Sequence, residues 1–180
     1  MREGGHDTSP LRLRRLPAEP LLRADRDHPD IADALDLVAD AEGLVVGSPV
    51  YKASYAGLLK VFLDLLPMDA LTGVPVLPIL TGGSTAHVLA LDYALKPLLT
   101  ALGANTIETG RFIHSDDINP ATHDASASIT GTAKQTLTAV IDRFTTRICM
   151  VETARTSTAK ADAAGSALVA SSPSPSDRSL

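Results

Sequence analysis

The amino-acid sequence predicts a single α/β domain built around a parallel β-sheet. The chain has 180 residues, of which 44% are hydrophobic, and this is enough for one domain with a sizeable core. Short apolar segments bounded by glycine or proline alternate with segments whose leucines recur every three or four residues. The apolar segments are hydrophobic at consecutive positions, which is typical of strands covered on both faces. Such alternation favours parallel strands joined by helices.

Composition narrows the classes of function and location. The net charge is −5 and aromatic residues make up only 3%, which argues against a nucleic-acid-binding surface. No apolar run is long enough to span a membrane, and the polar N-terminus does not resemble a signal peptide. Cys149 is the only cysteine, which excludes a disulfide framework and a cysteine-based zinc site. We expect a cytoplasmic protein that binds neither nucleic acid nor a membrane.

The first part of the chain predicts two strands and two helices. Leu11, Leu13 and Leu16 alternate with arginines, which predicts a short edge strand. Pro29 suits the first turn of a helix, and Asp27 is a candidate cap. The predicted elements are an edge strand at 11–16, a helix at 29–41, a buried strand at 44–46, a loop at 48–52 and a helix at 54–66.

The second part continues the alternation. The predicted elements are a strand at 74–80, a loop at 81–84, a helix at 85–102, a strand at 106–113 and a closing amphipathic helix at 129–148. Pro97 lies inside the long helix, where a proline has no N–H to donate, so we expect a simple kink or a π-bulge.

Three regions follow from these elements. We expect residues 1–10 to be disordered and residues 11–150 to form the domain. From 151 to 180, 20 of 30 residues are Ala, Ser, Thr, Pro or Gly, without an apolar period, which predicts a disordered tail.

Two loops follow neighbouring strands, at the edge where parallel sheets bind ligands. We name as candidate binding residues Pro49, Val50, Tyr51, Lys52, Thr81, Gly82, Gly83 and Ser84. The two glycines permit close approach of the backbone to a ligand, and Ser84 or Thr85 can cap the helix that follows. The N-terminus of that helix would favour anionic or electron-rich groups. The alternative interpretation is two ordinary turns, one with a half-buried tyrosine. Three lysines are candidates for anion contact, or else solvated charges on helix faces: Lys52, Lys60 and Lys96.

Two segments carry a family resemblance. Residues 48–60, SPVYKASYAGLLK, and residues 81–97, TGGSTAHVLALDYALKP, resemble the NADPH-dependent FMN reductase family. The similarity is greatest to the reductase components of two-component alkanesulfonate monooxygenases, and it extends over about residues 11–148.

The resemblance implies a flavodoxin-like three-layer sandwich that binds FMN and NADPH. It implies that Pro49–Lys52 and Thr81–Ser84 flank the isoalloxazine ring. It implies that hydride passes from NADPH to FMN without a catalytic side chain, because the cofactors carry the chemistry. It implies in addition that reduced FMN then serves an FMN-dependent monooxygenase. The resemblance also implies a homodimer or homotetramer, with the helix of Tyr93 at an interface.

The sequence departs from this family at its start. Family members open with a strand, a serine-rich phosphate loop and a helix, and no segment here matches them. We therefore expect a sheet that lacks the usual first, central strand and the first helix. Either the unit is encoded upstream, or the chain is a truncated remnant with impaired flavin binding. The alternative functions are a flavin-dependent quinone, azo-dye or metal-ion reductase, and a non-catalytic remnant that only oligomerises.

Overall fold

A computed structural model describes residues 6–121 and 127–170 of the protein. Its centre is a sheet in the order β2–β1–β3–β4, formed by β1 (Leu44–Tyr51), β2 (Ser54–Tyr55), β3 (Val76–Gly82) and β4 (Arg111–His114). Strands β1, β3 and β4 are parallel, and β2 pairs with the end of β1 in antiparallel orientation. A separate small ladder joins β5 (Ile118–Asn119) to β6 (Ser128–Ile129). The predicted parallel α/β sheet is confirmed.

Helices cover the sheet on both faces. The described residues form the α-helices α1 (Ala18–Leu22), α2 (Pro29–Ala39), α3 (Gly57–Leu63), α4 (Lys96–Ala101) and α5 (Gly131–Ala170). The larger buried cluster joins alternate residues of β1 and β3, such as Val46 and Leu80, to side chains of α1–α4. On the other face, Leu77 of β3 packs with Phe144 and Ile148 of α5. The protein therefore has the three layers of a flavodoxin-like sandwich.

Strand β1 is covered less completely than its apolar sequence predicts. Val46 and Val50 are buried on one face, but Val45 on the other face is 41% exposed. The Leu44 N–H donates to the Pro75 carbonyl oxygen at 2.9 Å. Because the backbone N–H and C=O groups of successive residues point to opposite sides of a strand, those of Val45 point away from β3. Because β2 reaches only the last two residues of β1, the rest of this edge has no neighbouring strand in the described part of the chain.

The predicted edge strand at 11–16 is wrong. Residues Leu13–Arg15 form a 3₁₀ helix instead, and no strand of the described sheet pairs with this segment. A strand needs a partner for its backbone groups, whereas a 3₁₀ turn satisfies some of them locally. Leu11, Leu13 and Leu16 still pack against the larger buried cluster.

Pro78 explains why β4 starts five residues later than predicted. The Val76 N–H donates to the Thr106 carbonyl oxygen, and the Val76 carbonyl oxygen accepts from the Glu108 N–H, both at 2.8 Å. The backbone groups of every second residue of β3, beginning with Val76, therefore face the segment that leads into β4. Pro78 is the next such residue, and it has no N–H to donate. The regular ladder begins only beyond it, with the pair Ile79 and Arg111.

The predicted long helix after β3 is divided into three pieces. Thr85–His87 form a 3₁₀ helix, Leu91–Leu95 a π-helix, and α4 follows. The Lys96 N–H donates to the Leu91 carbonyl, five residues earlier, which is the π-helical pattern. The relief expected beside Pro97 is thus a π-helix and not a simple kink.

Helix α5 continues well beyond its predicted end. The structure is helical to Ala170, where the sequence predicted a disordered tail from residue 151. Alanine is the strongest helix former, which favours a helix in this alanine-rich segment. Four hydroxyl side chains from Thr153 to Thr158 find acceptors within the helix, at carbonyls four residues earlier. Arg155 also donates to the Gly73 carbonyl at 2.8 Å. The disorder predicted for residues 1–5 and 171–180 lies outside the described residues. No helix in the described part of the chain is long and apolar enough to cross a membrane.

Candidate functional site

The two candidate segments lie side by side at one edge of the sheet. Pro49 of β1 is the register partner of Thr81 of β3, and both strands run toward the same edge. The next residues of the two segments therefore lie side by side at this edge, and we call the space between them the crevice. The prediction that they are neighbours is confirmed, while their binding of a ligand stays a prediction.

The first segment is a strand end and a tight turn, where the sequence predicted a loop. Pro49, Val50 and Tyr51 belong to β1, and Tyr51 pairs with Ser54 of β2 across the two residues Lys52 and Ala53. These two residues have φ angles of 51° and 62°. Two left-handed residues in a two-residue hairpin are typical of a type I′ turn, which usually contains Asn-Gly.

The side chains of the first segment point in different directions. Val50 is 7% exposed and packs into the larger buried cluster, so it can meet a ligand only through its backbone. Tyr51 is 57% exposed and Lys52 is exposed, which leaves both available at the crevice. Pro49 is half-buried.

Ser48, which was not among the predicted site residues, stabilises this hairpin from the buried face of β1. It is 5% exposed, and among the described residues it is the only polar or charged residue that is buried. Its hydroxyl oxygen accepts a hydrogen bond from the Ala56 N–H and donates to the Pro49 carbonyl, each at 2.9 Å. A small polar residue in an apolar strand was the available signal.

The second segment ends β3 and enters a short turn. Thr81 and Gly82 belong to β3, and the Ser84 hydroxyl accepts from the Ala86 N–H at 3.3 Å, which confirms the predicted cap. A Cβ at Gly82 would lie 3.1 Å from the Phe112 ring, whereas one at Gly83 would meet nothing within 4 Å. Because only a 3₁₀ turn follows, the predicted anion-binding helix terminus is not formed.

His87 lies directly behind the second segment. Its Nδ1 is buried without a hydrogen-bond partner among the described residues, and it is 3.6 Å from the position of a Cβ at Gly82. The imidazole and the Phe112 ring therefore both lie next to Gly82.

Two of the three candidate lysines belong to helix surfaces. Lys60 pairs with Asp64 and Lys96 with Asp92, each four residues away along the chain. The hydrogen bond with Asp64 raises the pKa of Lys60 above its ordinary value. These contacts support the solvated-charge interpretation for both, so Lys52 is the candidate lysine that stays at the crevice.

The site fits the ring of a flavin better than its phosphate. The two strand ends give the crevice an exposed tyrosine, exposed backbone at Gly83 and a hydroxyl at Ser84. Phosphates bind at glycine-rich loops that lead into helices, and within the described ranges the turn after Gly83 is only a three-residue 3₁₀ helix. The residues present therefore fit a planar heterocycle at this edge.

Comparison with known proteins decides the family. The model of the family described as NADPH-dependent FMN reductase matches residues 1–117. The chain belongs to this family. It is similar to FMN reductase (NADPH) of Pseudomonas putida, with 51% identity over 117 residues, 65% of this chain and 58% of that protein. It is also similar to FMN reductase (NADPH) of Escherichia coli, with 48% identity over 106 residues, 59% of this chain and 56% of that protein. The chain thus spans less than two thirds of the length of these family members.

Solved structures of the same architecture support this membership. An apo NADH:FMN oxidoreductase matches with a TM-score of 0.67 and 38% identity, over 77% of this chain and 70% of that chain. An oxidoreductase from Corynebacterium diphtheriae matches with a TM-score of 0.65 and 34% identity, over 81% and 75%. The protein therefore shares its flavodoxin-like fold with solved oxidoreductases, one of them an NADH:FMN oxidoreductase.

Proposed function

We propose that this protein is a cytoplasmic NAD(P)H-dependent FMN reductase. The observation that carries the proposal is the register pair Pro49 and Thr81, because it brings the two family-specific segments to one crevice. Family membership and the names of the relatives support the same activity. The relatives include proteins named NADPH- and NADH-dependent, so the proposal covers both nicotinamides.

In this proposal the protein contributes binding and orientation. FMN, when bound, supplies the two-electron acceptor for hydride from the nicotinamide. The backbone from Pro49 to Lys52 and the backbone from Thr81 to Ser84 would hold the ring. The exposed ring of Tyr51 supplies an apolar face with a polar tip. No side chain is required as an acid or base.

The openness of the crevice supports a flavin that exchanges with solution. Tyr51, Gly83 and Ser84 are all exposed to solvent. We propose that reduced FMN leaves this site for an FMN-dependent monooxygenase, such as an alkanesulfonate monooxygenase.

We further propose that the protein is a homodimer or homotetramer with the π-helix at an interface. Tyr93 is 80% exposed at the centre of the π-helix, and Leu89 and Val88 are exposed just before it. Exposed apolar side chains clustered in this way are typical of protein–protein contacts.

Titration with FMN tests the proposed activity. We expect quenching of FMN fluorescence on binding, and oxidation of NADPH or NADH that depends on added FMN. Gly83→Val places a branched side chain in the crevice and should weaken FMN binding at least about tenfold, because it occupies the space of the ring. Gly47→Val is the matched control, since a Cβ at Gly47 also meets nothing within 4 Å.

The outcomes separate the candidate functions. Absence of quenching in excess FMN would overturn the proposal and favour a non-catalytic remnant. Tightly held FMN with ping-pong kinetics would indicate a quinone, azo-dye or metal-ion reductase instead. Equal loss of binding in the two glycine variants would contradict the assignment of the crevice.

A further inference from the structure

The hydroxyl of Ser48 connects the two ends of the hairpin that forms one side of the crevice. It bonds the Ala56 N–H, eight residues later, and the carbonyl of Pro49. Ala56 directly precedes α3, at a half-buried position where its N–H would otherwise lack a partner. The hydroxyl therefore links the middle of β1 to the start of α3.

The hairpin between these two points is conformationally unfavourable. Lys52 and Ala53 both have positive φ without being glycine. Non-glycine residues in this region persist only where the surrounding structure imposes the conformation. The pairing of β2 with β1 covers only two residue pairs, so the Ser48 hydrogen bonds are a substantial share of what holds the hairpin.

We propose that Ser48 is a positioning residue for the flavin-binding segment. This inference rests on the proposed function. Ser48 acts through Pro49 and Ala56, because its side chain lies on the buried face of β1, in line with Val46 and Val50. By fixing both ends of the hairpin, it sets where the backbone of Pro49–Lys52 and the ring of Tyr51 stand in the crevice.

The test compares Ser48→Ala with Ser48→Thr in the full chain. In Ser48→Ala the Ala56 N–H loses its acceptor, so the amides from Val50 to Ala56 should exchange with solvent about tenfold faster, without any flavin present. The dissociation constant for FMN, measured by fluorescence quenching, should rise about five- to tenfold. Ser48→Thr keeps the oxygen and should restore both.

Val140→Ala is the matched control for general destabilisation. Val140 is buried against the other face of the sheet, in the cluster of α5. This variant should lower the melting temperature at least as much as Ser48→Ala while leaving hairpin exchange and FMN affinity unchanged.

The failures of the two proposals are distinguishable. Unchanged hairpin exchange and FMN affinity in Ser48→Ala, or an equal effect of Val140→Ala, would overturn the role of Ser48. If the unsubstituted protein does not bind FMN, the proposed function fails, while the exchange of the Ala56 amide still decides whether Ser48 holds the hairpin.

Discussion

Ala53 occupies a backbone conformation that glycine adopts at lower cost. Its φ of 62° crowds the Cβ against the neighbouring carbonyl. We expect Ala53→Gly to raise the free energy of unfolding by about 1 kcal/mol, measured by urea denaturation. Ala139→Gly, in an exposed turn of α5, should lower it by about 1 kcal/mol. A loss of stability in both variants would show that the hairpin turn is not strained.

The same two residues show why part of the site escapes prediction from sequence. A two-residue hairpin is usually indicated by Asn-Gly or Asp-Gly, and Lys52-Ala53 carries no such signal. The segment was therefore predicted as a loop, and β2 was missed. Positions of the candidate residues followed from strand order, but the direction of each side chain, such as the burial of Val50, followed only from the register.

Glu152 on α5 gives the protein a specific pH dependence. Its hydrogen bond with Glu42 raises the pKa of the Glu152 carboxyl above its ordinary value. A raised folded-state pKa stabilises the fold fully below the unfolded value of 4.5, and this contribution is lost as pH rises through the folded value. Glu152→Gln should therefore raise the melting temperature at about pH 7 and not at about pH 4. A gain of equal size at both pH values would contradict this pairing.

Helix α5 packs against one face of β3. Phe144 is fully buried, and it packs with Leu77 of β3. We expect Phe144→Ala to lower the free energy of unfolding by about 3–5 kcal/mol, because the cavity left behind cannot be filled. Urea denaturation measures this change. A loss below about 1 kcal/mol would mean that α5 is not part of the cooperative core.

Helices and strands were predictable where the local sequence signals and the tertiary packing favour the same structure. The missing N–H of Pro97 predicted a kink or a π-bulge, and the structure has a π-helix at Leu91–Leu95, while α2 follows from Pro29 and its apolar spacing. The extension of α5 was not predictable from periodicity, since residues 151–170 have no apolar stripe. Their helix rests on alanine content and on contacts such as that of Arg155 with Gly73.

At the scale of the whole molecule, the proposed oligomer gives a direct test. We expect Tyr93→Ala to shift the protein to smaller assemblies in sedimentation velocity, because truncation of a central aromatic side chain typically costs more than tenfold in affinity. Met68→Ala is the control, since Met68 is equally exposed but lies outside the π-helix. An unchanged mass for Tyr93→Ala would place the interface elsewhere.

The architecture as a whole was predictable because alternating strands and helices permit few arrangements. The parallel sheet, the three layers and the shared edge of the two segments all followed from this alternation. The strand predicted at 11–16 was wrong because a strand is defined by its partner, and no strand of the described sheet pairs with this segment.

The edge of β1 that has no neighbouring strand in the described part of the chain has a practical consequence for purification of the protein. Backbone amides of Val45 and Gly47 that face away from β3, next to a solvent-exposed valine, form a template onto which another polypeptide can stack. We therefore expect concentrated solutions of the protein to aggregate, which light scattering would detect. A single lysine in place of Val45 would discourage such stacking by charge repulsion and leave the crevice at the far end of the strand untouched.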